Sequence, residues 1–318
     1  MPSILVFSEQ DRCAFELLHK AGELGKKTGL DVAAAALGGS QGEEYARRGC
    51  TRVYASSHEL LQPFDAFVYA QALSQIAATV QAKIFLIGST RSGKDLAGRL
   101  SQMLGAGCLT DCQSLEYEQE GLVATRNAFG GATVAAQKLR PSLQIYALLP
   151  YLCEPAAPGE AKGEVIQVSL NLKPSRVRKI KKTPKELGAV DIEGAEVLVC
   201  VGKGLAKKED IKIAEELASV LSGFVACTKP LATDLKWLPE SRIIGLSGKK
   251  GKPKMAVCAG ISGQVQFAVG IRDAKTIVAV NTDPNAYIFQ MADYGLIGDL
   301  YQILPQLTAA LKKLQNAK

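Results

Sequence analysis

Three glycine-bearing segments in the last third of the chain have residue types suited to binding chemistry: VGKG at 201–204, GLSG at 245–248 and AGISGQVQF at 259–267. Each follows an apolar run, so each reads as the end of a buried strand where small residues let a ligand approach the backbone. In the third, Ser262 and Gly263 open the helical run QVQFAVGI. Free amides of a first helical turn can face a diphosphate there, with the helix dipole favouring the anion, and Gln266 can add a side-chain amide. One strand–turn–helix with glycine is commonplace. Three in one region, with VNTDP at 280–284, point to a large nucleotide.

Other chemistries find less support. GSTRSGKD, Gly88 to Asp95, nearly spells a phosphate loop, but Asp95 stands where the magnesium-holding hydroxyl is needed and brings a carboxylate toward phosphate. An ordinary strand-to-helix turn is the better reading. His19 and His58 are the only histidines and neither neighbours a nucleophile motif, so no Ser/His/Asp arrangement is supported. Eight cysteines, at 13, 50, 108, 112, 153, 200, 227 and 258, include no CxxC pair. No zinc or iron–sulfur site is expected, and Cys108 with Cys112 reads as helix or loop packing.

The elements that must position these segments follow from hydrophobic patterning. The chain has 318 residues, 47% hydrophobic and 22% charged, which suits two globular domains with separate cores. SILVFSE, LDVAAAALG, VYASS and KIFLIGST read as strands alternating with helices over 13–27, 65–80 and 95–104, the pattern of βαβ units. Turn-punctuated runs over 108–149 read as further strands. From Ala195 the alternation resumes with EVLVCVGKG, a helix over 208–221, the strand candidates FVACT, RIIGLSG, KMAVCAG and TIVAVN, and a closing helix over about 307–314. The fold class expected is α/β, two doubly wound domains each with a mainly parallel sheet: residues 1–175, a basic linker over 176–194, and residues 195–318. Open sheets of this type bind ligands at the carboxyl ends of their strands.

The net charge of +7 gathers partly in RVRKIKKTPK, 176–185, which reads as a solvated linker or a docking patch for an acidic partner. Aromatics are only 6% and no basic helix alternates with stacking residues, so nucleic acid is not an expected partner. No apolar run reaches bilayer length and nothing resembles a secretory signal, so the expected location is cytoplasmic and reducing.

Taken together, AGISGQVQFAVGIRDAKTIVAVNTDPNAYIFQMADYGLIGDLYQILPQL, 259–307, resembles the signature of electron-transfer flavoprotein alpha subunits, the FixB-like family. Looser similarity runs through VGKGL, ACTKP, GLSGK, GKDLAGRL, LTDC and ATRNAFGG, and so covers essentially the whole chain. The resemblance implies a first domain that packs on a beta subunit, a second that holds FAD, and electron exchange with a dehydrogenase such as an acyl-CoA dehydrogenase. It places phosphate and ribityl contacts at Ser262, Gly263, Gln264, Val265 and Gln266, and the adenosine end at Asn281 and Asp299 with Leu300. Lys203, Thr228, Gly245, Leu246, Ser247 and Gly248 line the remaining path, Ser247 near the isoalloxazine edge.

Three flavin-tuning candidates follow from the resemblance: Lys229, Ser247 and Phe267. Where the family commonly has Ser-Arg, this chain has Thr228 and Lys229; Leu246 replaces a glutamine, and Phe267 a histidine. Phenyl cannot stabilise negative charge on a reduced flavin as imidazole does, and lysine lacks the planar fork of arginine. Two alternatives stay open: a subunit of an NADH-dependent flavin-based electron-bifurcating complex, or a redox-silent nucleotide-binding scaffold.

Overall fold

The computed structural model describes residues 2–316 apart from 40–41, 119–120, 132, 161–162, 178–179 and 181–190. The chain folds into two compact units, Met1–Lys181 and Lys182–Lys318. Most of the expected basic linker lies outside the described residues.

The first unit is built on a sheet whose central strands are buried on both sides. β1 (Ser3–Phe7) and β2 (Asp31–Leu37) are nearly continuous apolar runs. Ile4, Val6, Val32, Ala34 and Ala36 face one core, and Leu5, Phe7, Ala33, Ala35 and Leu37 face the other. This is the alternation that a period of two imposes on a doubly covered strand. α1 (Asp11–Thr28) and α2 (Gly42–Ala46) supply the first core; α3 (Ala66–Thr79) and α4 (Arg91–Leu104) supply the second. The other strands are β3 (Arg52–Ser56), β4 (Ala82–Gly88), β5 (Gly107–Glu118), β6 (Gly121–Ala128), β7 (Thr133–Gln137), β8 (Gln144–Leu148) and β9 (Glu164–Gln167). They lie in the order β7-β6-β5-β8-β4-β1-β2-β3-β9, with antiparallel pairing only at β5–β6 and β6–β7 among the described ladders.

GSTRSGKD is the strand-to-helix turn between β4 and α4. Thr90 caps α4, its Oγ1 accepting the Gly93 amide at 2.9 Å. Lys94 is paired with Asp111 at 3.2 Å and Asp95 with Arg99 at 2.9 Å, so the lysine and the aspartate of the near-motif are committed within the protein. Cys108 and Cys112 do not sit in a helix or loop: both lie in β5. A spacing of four fits a helix or a strand. The β5–β8 ladder bulges between Leu109 and Cys112, which sends Cys112 into one core and Cys108 toward the other.

The second unit has an all-parallel sheet in the order β11-β10-β12-β13-β14. Its strands are β10 (Val197–Val201), β11 (Phe224–Cys227), β12 (Met255–Ala259), β13 (Ile277–Asn281) and β14 (Tyr294–Ile297). α5 (Ile211–Val220), α6 (Lys229–Thr233) and α8 (Leu300–Asn316) contribute to the core on one face, and α7 (Val265–Ile271) to the core on the other. RIIGLSG is not a strand. A 3₁₀ turn at Glu240–Arg242 leads into two isolated bridges and a tight turn at Gly245, so no ladder can grow there. The closing helix begins at Leu300 and runs through Pro305. In its second turn the proline removes an amide without ending the helix.

Candidate functional site

β10 starts the second sheet, β11 is laid down on one side of it and β12 on the other. The strand order therefore reverses between β10 and β12, and a crevice opens beyond their carboxyl ends. A cleft of about 710 Å³ occupies this place, lined by the residues that follow all five strands, from Gly202–Gly204 after β10 to Gly298–Leu300 after β14. It is large enough for an extended cofactor.

The cleft floor is backbone against backbone. Gly204 N–H donates to Gly260 O at 2.9 Å. Gly260 has φ +62°, and a Cβ there would lie 2.7 Å from the Gly204 Cα and 2.8 Å from Leu300 Cδ2. Gly263, at φ +81°, would drive a Cβ into the Ile288 backbone. Between these two glycines and on to α7, the consecutive amides of residues 261–266 donate to no acceptor among the described residues. An unpaired run of N–H groups costs stability unless water or a ligand satisfies it. Ser262, Gln264 and Gln266 face the cleft beside it, and the run contains no acidic residue.

Most of the residues singled out in the sequence come together here. Lys203, Thr228, Lys229, Gly245, Leu246, Ser247, Ser262, Gln264, Gln266, Phe267, Asn281, Asp299 and Leu300 all line the cleft. Gly248, Gly263 and Val265 do not line it: the first two serve turn geometry, and Val265 is 64% exposed. Phe267 is 6% exposed and belongs to an apolar core cluster, so only part of its ring borders the cleft. Lys229 and Ser247 are exposed at the wall. Asn281 is engaged at both ends of its amide: Nδ2 donates to Ile261 O at 2.8 Å and Oδ1 accepts the Asp283 amide at 3.0 Å. Its side chain thus ties the 261–266 loop to β13.

Gly202, Gly204, Gly260, Ile261, Thr282 and Asp283 line the cleft as members of the segments VGKG, AGISGQVQF and VNTDP, whereas sequence reasoning passed over Pro230, Ala286 and Gly298 as lining residues. The signal was present, because in a parallel sheet the first residues after each strand are the ones that meet a ligand. Beneath the floor, Cys200 and Cys258 are register partners on β10 and β12. Their mutual hydrogen bond, reinforced by burial, holds the Cys258 thiol far above its ordinary value. No group of three or more His, Cys, Asp or Glu that could hold a metal ion occurs among the described residues.

A doubly wound domain with a glycine-floored cleft and a free amide run at its switch point defines a nucleotide-binding domain of the dinucleotide class. Residues 4–172 match the model of the electron transfer flavoprotein domain, and residues 191–272 that of the electron transfer flavoprotein FAD-binding domain. The chain is 33% identical over 327 residues to an electron transfer flavoprotein subunit alpha of Thermoanaerobacterium thermosaccharolyticum, covering 98% of each. It is 32% identical over 331 residues to the FixB protein of Clostridium saccharobutylicum, covering 99% of this chain and 98% of that one. A subunit of the NAD(+),ferredoxin lactate dehydrogenase of Acetobacterium woodii is 33% identical over 313 residues, covering 96% of this chain and 74% of that one. The chain belongs to the electron transfer flavoprotein alpha-subunit family, and FAD is its cofactor.

Proposed function

We propose that this chain is the FAD-carrying alpha subunit of a two-subunit electron carrier, which takes electrons from a dehydrogenase such as an acyl-CoA dehydrogenase and passes them to a second acceptor in the cytoplasm. The observation that carries this reading is the free amide run of residues 261–266 in the switch-point cleft, which fits a diphosphate bridging two large groups. Bound FAD supplies a centre that accepts and releases electrons one or two at a time.

The chain's own groups have distinct parts in this reading. The 261–266 amides with Ser262, Gln264 and Gln266 bind diphosphate and ribityl oxygens. Asp299 and Leu300, at the start of α8, take the adenosine end, and Asn281 holds the phosphate loop in place. Lys203, Thr228, Lys229, Gly245, Leu246 and Ser247 flank the flavin end, where Lys229 offers a cation and Ser247 a hydroxyl donor. Residues 1–175 form the domain that packs on a beta subunit, with 176–194 as linker and 195–318 as the FAD domain.

The Acetobacterium woodii relative, a subunit of an enzyme named for NAD(+) and ferredoxin, favours a second reading: an NADH-dependent electron-bifurcating complex. Flavin counting separates the two. One flavin per alpha–beta pair supports the simple carrier; two support bifurcation. A pair with no visible flavin absorption after reconstitution contradicts both.

A further inference from the structure

The loop after β10 forms one wall of the cleft through Gly202, Lys203 and Gly204, and its outer half is fastened from an unexpected direction. Tyr301, on the first turn of α8, donates its hydroxyl to Asp210 Oδ2 at 2.6 Å and accepts the Ala206 amide at 2.7 Å. Asp210 Oδ2 also accepts the Lys207 amide at 3.2 Å. Ninety-one positions apart in sequence, the two side chains fasten the Ala206–Asp210 turn to α8. Tyr301 itself does not line the cleft, whereas its neighbours Asp299 and Leu300 do. The phenol packs partly on the apolar core that also takes Leu205 and Leu300. Burial and the Asp210 carboxylate push the phenol above its ordinary value, so it remains a donor at neutral pH.

We infer that Tyr301 is a positioning residue: its clasp with Asp210 holds the Gly202–Gly204 wall against the Gly260 floor and the start of α8, and so retains the cofactor without touching it. This rests on the reading of the cleft as the FAD site. Removing the hydroxyl leaves the ring and its packing in place but frees the turn.

The test compares wild type, Tyr301→Phe and Gln315→Ala, each as the full-length chain in complex with its beta subunit. Gln315 ties the other end of α8, donating to Val220 O at 2.8 Å, and is no part of the cleft. Amide exchange over 203–210 is followed before FAD is added, and FAD dissociation after loading. In Tyr301→Phe, exchange over 203–210 is expected to speed up and FAD to leave about tenfold faster, as for one charge-assisted hydrogen bond. Gln315→Ala is expected to match wild type in both. Unchanged exchange in Tyr301→Phe overturns the clasp. Faster exchange with unchanged dissociation, or equal acceleration in Gln315→Ala, overturns the positioning role. Failure of wild type to take up FAD overturns the proposed function instead, and the exchange measurement alone then decides the clasp.

Discussion

At the scale of single residues, Lys229 and Phe267 depart from the pattern that the resemblance implies beside a flavin, and the structure treats the two differently. Lys229 is exposed on the cleft wall, while Phe267 is largely buried in an apolar cluster. Restoring a fixed guanidinium and an imidazole donor with Lys229→Arg and Phe267→His favours a reduced, more negative flavin. Hydrogen bonds to charged groups contribute about 1.5–3 kcal/mol, which is roughly 30–60 mV for a two-electron couple. The double variant is therefore expected to have a higher midpoint potential in a reductive titration, and Phe267→Leu an unchanged one. An unchanged potential in the double variant would remove both side chains from control of the flavin. The thiols give a second expectation at this scale. Burial pushes Cys13, Cys50, Cys112 and Cys227 up to about 12, so at pH 8 almost none of each is the reactive thiolate. Alkylation of the native protein at pH 8 should spare these four and label them only after unfolding. The tuning candidates were legible only through the family resemblance, because nothing in periodicity places a phenylalanine beside a ring. The Asn281 tie was not legible, since an asparagine after a strand reads equally as contact or brace.

The elements were legible in proportion to how strongly their burial is written in period. β1, β2, β10 and β12 are apolar on both faces and bounded by polar turns, and sequence and structure agree on them. β14 was missed because its four residues, YGLI, are all exposed and carry no alternation to read. The start of α8 was hidden behind Pro305, and RIIGLSG has strand-like composition but a glycine at φ +135° in its centre. The turn that matters most for binding can be tested through Gly263. Gly263→Ala adds a methyl at positive φ against the Ile288 backbone, so the 261–266 loop must move. The expected result is loss of FAD affinity well beyond tenfold with the first unit's thermal transition unchanged; normal affinity would mean that the loop does not set the phosphate site. In the first unit, Thr90→Ala removes the cap of α4 and should cost about 1 kcal/mol in denaturant unfolding, without altering FAD affinity.

At the scale of the whole molecule, the two units with their parallel sheets were legible from the βαβ alternation, and the family assignment came from one long motif in the second. Each unit also shows apolar side chains that its own core does not cover. Phe129 and Val134 are 89% and 63% exposed in the first, and Tyr294 and Ile297 are 66% and 65% exposed on β14 in the second. Exposed apolar side chains of this kind suit a protein partner as their cover. The chain produced alone should aggregate or elute as large species in size-exclusion chromatography, and co-production with a beta subunit should give a defined heterodimer. A well-behaved monomer that binds FAD fully by itself would contradict an obligate pair. The central claim is that the switch-point cleft holds FAD, and chromatography of the cofactor released from the purified pair tests it most directly. FAD in at least one copy per pair is the expected result; FMN, or no flavin after reconstitution with excess FAD, would contradict it.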